Sequence, residues 1–127
     1  MLQRLFSTTV YVRIYENRIV VKGLDLNPQP VTVRPVNPFT TRRLLVGELG
    51  IAEAALKEAL RQVCAGRLFV PQPVMVMHPM ERTEGGLSEI EERTFVELAM
   101  DTGARKAIVW VGGELSDTEV RQRAGTA

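Results

Sequence analysis

The sequence predicts an α/β domain in which antiparallel strands come first and strand–helix–strand units follow. Three stretches carry that expectation. Residues 10–22 are rich in β-branched and aromatic side chains around Glu16 and Asn17. Residues 52–63 place alanine, leucine and valine at helical spacing. Residues 70–113 read as strand, loop, capped helix and strand. At 127 residues, 45% of them apolar, the chain can bury one core. The expected organisation is a single domain over 1–127, with residues 1–8 and 125–127 frayed.

In the first stretch, Asn17 supplies the residue that tolerates the positive φ a tight hairpin turn needs. Setting Tyr15 opposite Arg18 places Ile14 by Ile19 and Val12 by Val21 on one face, with Tyr11, Arg13 and Lys22 on the other. That division of apolar and polar residues predicts the register. Gly23, Asn27, Pro28 and Pro30 then interrupt the pattern, and a third short strand is expected over 31–34 before Pro35 and Pro38. A further short strand is expected over 43–46. Ahead of the hairpin, Met1, Leu2, Leu5 and Phe6 surround Gln3 and Arg4. So short an apolar turn reads as a frayed end rather than a membrane anchor.

After Gly47 and Gly50 the chain becomes strongly periodic. Ala52, Ala55, Leu56, Ala59, Leu60 and Val63 share one face, and Glu53, Lys57, Glu58, Arg61 and Gln62 the other. Glu53 is spaced to pair with Lys57, and Gly66 to end the helix. Cys64, the only cysteine, reads as a buried, inert thiol.

Pro71 and Pro73 lead into Val74–Met77, a continuous apolar run that suits a parallel strand covered on both faces. His78 follows at the strand's carboxyl end, where open α/β sheets bind ligands. Ser88 with Glu91 forms a capping box. The helix it starts should bury Leu87, Ile90, Phe95 and Leu98 and stop at Gly103. Glu89, Glu91 and Glu92 sit in its first turn, where the helix dipole favours carboxylates, so capping explains them better than acid–base chemistry. Val96 and Met100 project from another side and form a candidate partner surface. Residues 107–111 form the next strand, and Ser116 with Glu119 caps a last short helix.

Several function classes fall away. A net charge of +1 with interspersed signs gives no footprint for nucleic acid. No apolar run approaches the length of a membrane span, and one cysteine with no secretory leader pattern predicts the cytoplasm. One histidine and one cysteine offer no metal-ligand spacing, and the Gly85–Gly86 pair lacks the spacing and lysine of a phosphate loop. No cofactor or metal is expected.

The order of VRP at 33–35, RLLVGELGIAEAALKEALRQV at 43–63 and SEIEERTFVELAMDTGAR at 88–105, followed by an apolar strand, resembles domain I of the bacterial actin-like MreB proteins. Closer still, the hairpin, the RLL segment and EGGLSEIEER at 84–93 resemble the short bacterial YjaA-type proteins. The first resemblance implies an actin-like, ribonuclease H-like half-domain whose nucleotide site has degenerated. Glu16 and Asn17 stand where such ATPases carry an Asp-Leu-Gly-Thr phosphate loop. Trp110, Val111, Gly112 and Gly113 stand where they carry the acidic segment that organises the attacking water. The second half of the nucleotide cleft is also missing, and phosphoryl transfer depends on such positioning groups.

These readings lead to a non-catalytic interaction or regulatory module, not an ATPase, with a protein partner or a second copy as its target. The alternative is a small-molecule-binding protein or enzyme using the strand ends near His78, Glu84, Trp110 and Gly112.

Overall fold

The computed structural model describes residues 8–65 and 72–125. Five strands, β1 (Thr9–Tyr15), β2 (Arg18–Gly23), β3 (Asn27–Val33), β4 (Val74–Pro79) and β5 (Lys106–Val109), form one mixed sheet in the order β3-β2-β1-β4-β5. Strand β2 runs antiparallel to both β1 and β3, whereas β4 runs parallel to β1 and β5. Among the described residues there are three helices: α1 (Leu49–Val63), α2 (Glu89–Asp101) and α3 (Asp117–Ala124). The mixed α/β architecture expected from the sequence is present. No helix among the described residues is long and apolar enough to cross a membrane.

The hairpin has the expected register, with Tyr15↔Arg18, Ile14↔Ile19 and Val12↔Val21, and Asn17 turns it at φ 53°. Its Val12, Ile14, Ile19 and Val21 face a core completed by Met75 and Met77 of β4, Ala52, Leu56 and Ala59 of α1, and Phe95, Leu98 and Ala99 of α2. Every residue of β4 is buried, consistent with a strand covered on both faces.

The opposite face departs from expectation. Tyr11, expected on the polar face of the hairpin, is buried in a second core with Val74, Val76, Leu115, Val120 and Ala124. Helix α3 covers this face. The charged tips beside Tyr11 are paired rather than simply hydrated: Lys22 Nζ donates to Asp117 at 2.9 Å and Arg13 to Glu114 at 3.0 Å. An amphipathic tyrosine can contribute its ring to a core if its hydroxyl finds a partner there.

Strand β3 begins at Asn27, earlier than the predicted start at residue 31, and runs through Pro28 and Pro30. It lies at the sheet edge, where missing amide donors are tolerated. The strand expected over 43–46 does not form. Thr41 N–H donates to Leu44 C=O and Leu44 N–H to Thr41 Oγ1, closing a turn that drops Leu45 and Val46 into the first core. Helix α1 starts at Leu49 and includes Gly50. The anticipated stop at Gly66 lies outside the described residues. The expected Glu53–Lys57 ion pair does not form, and Glu53 lies beside Asp101 of α2. Burial first, then the neighbouring Asp101 carboxyl, holds the Glu53 carboxyl above its ordinary value.

Both predicted capping boxes are present, at Ser88–Glu91 and Ser116–Glu119. Replacing Ser88 with alanine should lower stability by about 1 kcal/mol. Urea titration checks this through a lower midpoint at unchanged slope. Ile90, expected on the buried side of α2, is instead 72% exposed, because it lies roughly 140° around the helix from the buried Phe95, and Leu87 makes the core contact. Strand β5 ends at Val109, two residues short of the predicted end at 111. Residues 1–7 and 126–127 of the expected frayed ends lie outside the described residues. Thr8 is buried and its carbonyl accepts from Val74 N–H, and Gly125 closes α3 at φ 74°.

Candidate functional site

The carboxyl ends of β1 and β4 hold the residues singled out as a candidate cleft, and the structure brings together His78, Trp110 and Gly112. Glu84 is exposed on the loop ahead of α2 and is not hydrogen-bonded to them. The imidazole of His78 has 0% exposure. Its Nε2 lies 2.9 Å from the Gly112 carbonyl oxygen and its Nδ1 2.6 Å from the Tyr11 hydroxyl. A carbonyl can only accept, so Nε2 carries the proton and Nδ1 accepts from Tyr11. The Tyr11 oxygen in turn accepts from Leu115 N–H at 3.1 Å.

The resulting chain runs from Leu115 N–H through Tyr11 and His78 to Gly112 C=O, and it ties both strands to the segment that leads into α3. The two rings stack with centroids 5.8 Å apart. Burial pushes the His78 imidazole below its ordinary pKa and the Tyr11 phenol above its own. Both effects favour the neutral forms that this donor–acceptor order requires. Among the described residues no buried side-chain nitrogen or oxygen lacks a partner.

Trp110 leaves β5 and donates Nε1–H to Gly113 C=O at 3.0 Å, while the Arg123 guanidinium lies 3.8 Å from its ring centre. Gly112 has φ +152°, and a Cβ there would meet the Trp110 ring at 2.6 Å. The glycine therefore permits the close turn that aims its carbonyl at His78. Sequence reasoning singled out His78 by its strand-end position but missed Tyr11 and Leu115, which lie 67 and 37 residues away along the chain.

The neighbouring strand end, at the hairpin turn, is covered by residues 39–48. Asn17 and Thr40 exchange hydrogen bonds, Asn17 N–H to Thr40 Oγ1 at 3.0 Å and Thr40 N–H to Asn17 Oδ1 at 2.9 Å. Arg82, at φ 59°, bonds Glu16 and the carbonyls of Thr41 and Arg42. Glu16 N–H donates to Glu81.

At the opposite end of β1 and β4, a cavity of about 210 Å³ is lined by Val10, Leu60, Cys64, Met75 and Thr102 among others. Cys64 is half-buried there rather than fully buried. Among the described residues no group of three or more His, Cys, Asp or Glu is placed to hold a metal ion. Val96 and Met100, the candidate partner surface, are 38% and 45% exposed.

Sheet, helices and hydrogen-bonded strand ends define a small α/β protein with a mixed five-stranded sheet and a neutral histidine built into its second core. No family model matches the sequence. Over 96 residues, 72% of this chain and 73% of the relative, it is 30% identical to the protein of Escherichia coli (strain K12) described as "Uncharacterized protein YjaA". The chain belongs to the YjaA family.

Proposed function

We propose that this YjaA-family chain is a non-catalytic interaction or regulatory module built on an actin-like, ribonuclease H-like half-domain. The observation that carries the reading is the state of His78, whose two ring nitrogens are both engaged inside the fold. A general base or nucleophile-activating histidine needs a nitrogen within reach of substrate. His78 has no exposed atom to offer one. Antiparallel strands followed by parallel strands joined by helices support the actin-like part of the reading. The non-catalytic part is supported by the two-residue turn at Glu16 and Asn17, closed over by Thr40, Glu81 and Arg82 in the region where a nucleotide's phosphates would need backbone amides.

Calorimetric titration with ATP, ADP and GTP in the presence of magnesium should give only heats of dilution, and phosphate release should equal that of buffer. Saturable nucleotide binding or enzyme-dependent phosphate release would overturn the proposal.

A further inference from the structure

We propose that His78 is a proton-operated latch for α3: a second proton on its imidazole breaks the bonding through Tyr11 and lets α3 swing away with residues 112–116 while the first core stays folded. Such a latch is independent of whether the protein is catalytic.

The direction of each bond makes the arrangement sensitive to a proton. Nδ1 of His78 accepts from the Tyr11 hydroxyl at 2.6 Å, Nε2–H donates to Gly112 C=O at 2.9 Å, and the Tyr11 oxygen accepts from Leu115 N–H at 3.1 Å. A protonated imidazole has two donors and no acceptor. The Tyr11 hydrogen then loses its acceptor, and Nδ1–H points at a phenol oxygen that already receives Leu115 N–H. A cation is also left at a position of 0% exposure with no carboxylate on either ring nitrogen. Of the charges nearby, Glu114 favours the proton and Arg13 of β1 opposes it. The charged residues of α3 are taken up elsewhere: Asp117 by Lys22 of β2, Arg121 by Asp25, Arg123 by the Trp110 ring and Glu119 by its capping box.

Releasing α3 relieves that site and disturbs little else. The helix buries only Val120 and Ala124, and among the described residues none of the first core belongs to it. Its ion pairs with Lys22 and Asp25 are partly exposed, where such pairs contribute little. The connection from β5 is exposed over residues 111–114, and a Cβ at Gly113 would meet nothing within 4 Å. A segment of this kind absorbs a change of direction while the sheet keeps its place. Opening of one element takes less free energy than unfolding the domain.

In the closed form burial holds the imidazole below its ordinary value of 6.5, and in the released form water restores that value. The released form therefore binds the proton more tightly. Opening is suppressed above about 6.5 and grows up to about tenfold for each pH unit below it, down to the depressed closed value.

Native-state amide exchange of the full chain across this window, corrected for the intrinsic pH dependence of exchange, tests the latch. Amides of residues 120–124 should be at least about tenfold less protected than those of residues 52–59 in α1, and their protection should fall about tenfold per pH unit. Emission of Trp110, the only tryptophan, should shift to the red with the midpoint at which the ring resonances of His78, the only histidine, titrate. His78→Gln offers a carbonyl to Tyr11 and an amide to Gly112 but takes up no proton, and it should keep α3 closed throughout. Val120→Ala loosens α3 without touching the imidazole. By linkage, each tenfold gain in opening should raise the measured pKa of His78 by about one until it reaches 6.5. An α3 as well protected as α1 while the imidazole protonates, a His78→Gln chain that opens at the wild-type midpoint, or a Val120→Ala chain with the wild-type histidine pKa overturns the proposal. The Val120→Ala measurement leaves the latch intact, so it decides the matter even if His78→Gln does not fold.

Discussion

Replacing His78 with alanine should lower the free energy of unfolding by about 3 kcal/mol. The substitution removes a fully buried ring and leaves the Tyr11 hydroxyl without its acceptor and the Gly112 carbonyl without its donor. Tyr11→Phe removes only the hydroxyl, leaving His78 Nδ1 and Leu115 N–H unsatisfied, and should cost about 2 kcal/mol. Chemical denaturation of both variants at neutral pH measures the pair. Losses below about 1 kcal/mol for both would mean that the chain of bonds contributes little.

The same residue sets a pH dependence. Burial holds the folded-state pKa of His78 below the ordinary value of 6.5 that the unfolded chain retains. Between those two values the unfolded state binds more protons than the folded one, so stability rises with pH. The contribution is intact above about 6.5, is lost as pH falls toward the depressed folded value, and levels off below it. Urea midpoints collected across this window should show that slope in the wild type and lose it in His78→Gln. An unchanged slope in the variant would assign the pH dependence to other groups.

Phe39→Ala should be at least as damaging, at about 4 kcal/mol. The ring has 0% exposure in the first core although it belongs to an irregular connection. Its carbonyl also accepts from both Gly47 and Glu48 N–H at 2.9 Å. Losing the ring removes the anchor that holds residues 39–48 on the hairpin turn, and the Asn17–Thr40 pair should loosen with it. Phe39→Leu retains most of the apolar volume and should cost under about 1.5 kcal/mol. Equal losses in the two variants would show that ring packing is not the cause. Amide exchange at Asn17 and Thr40 should accelerate in the alanine variant alone.

The elements read most readily from the sequence are those whose determinants are local. The alternation around Asn17 predicts the hairpin register, the serine–glutamate spacing predicts both helix starts, and the unbroken Val74–Met77 run predicts a strand covered on two faces. The second core was hidden because α3 is mostly polar and contributes only Val120 and Ala124 as buried residues. Tyr11 looked polar by alternation, since its hydroxyl meets its partners only after the chain has returned through β4 and reached Leu115. Phe39 was concealed in the same way: proline spacing marks its segment as irregular but does not tell which side chain the core receives. Prolines also obscured β3, whose position at the edge is a property of the whole sheet.

The parallel pairing of β1 with β4 joins residues as far apart as Thr9 and Val74. Folding therefore combines fast and slow events on one strand. The β1–β2 hairpin closes through neighbouring residues, while the other edge of β1 waits for a large loop to close and for the intervening helix to find its place. During synthesis that edge stays exposed until β4 has left the ribosome, and Tyr11 and His78 find their last hydrogen bonds only when the residues through Leu115 follow. The buried tyrosine–histidine pair thus acts late in assembly, fastening a sheet whose first strands have already formed.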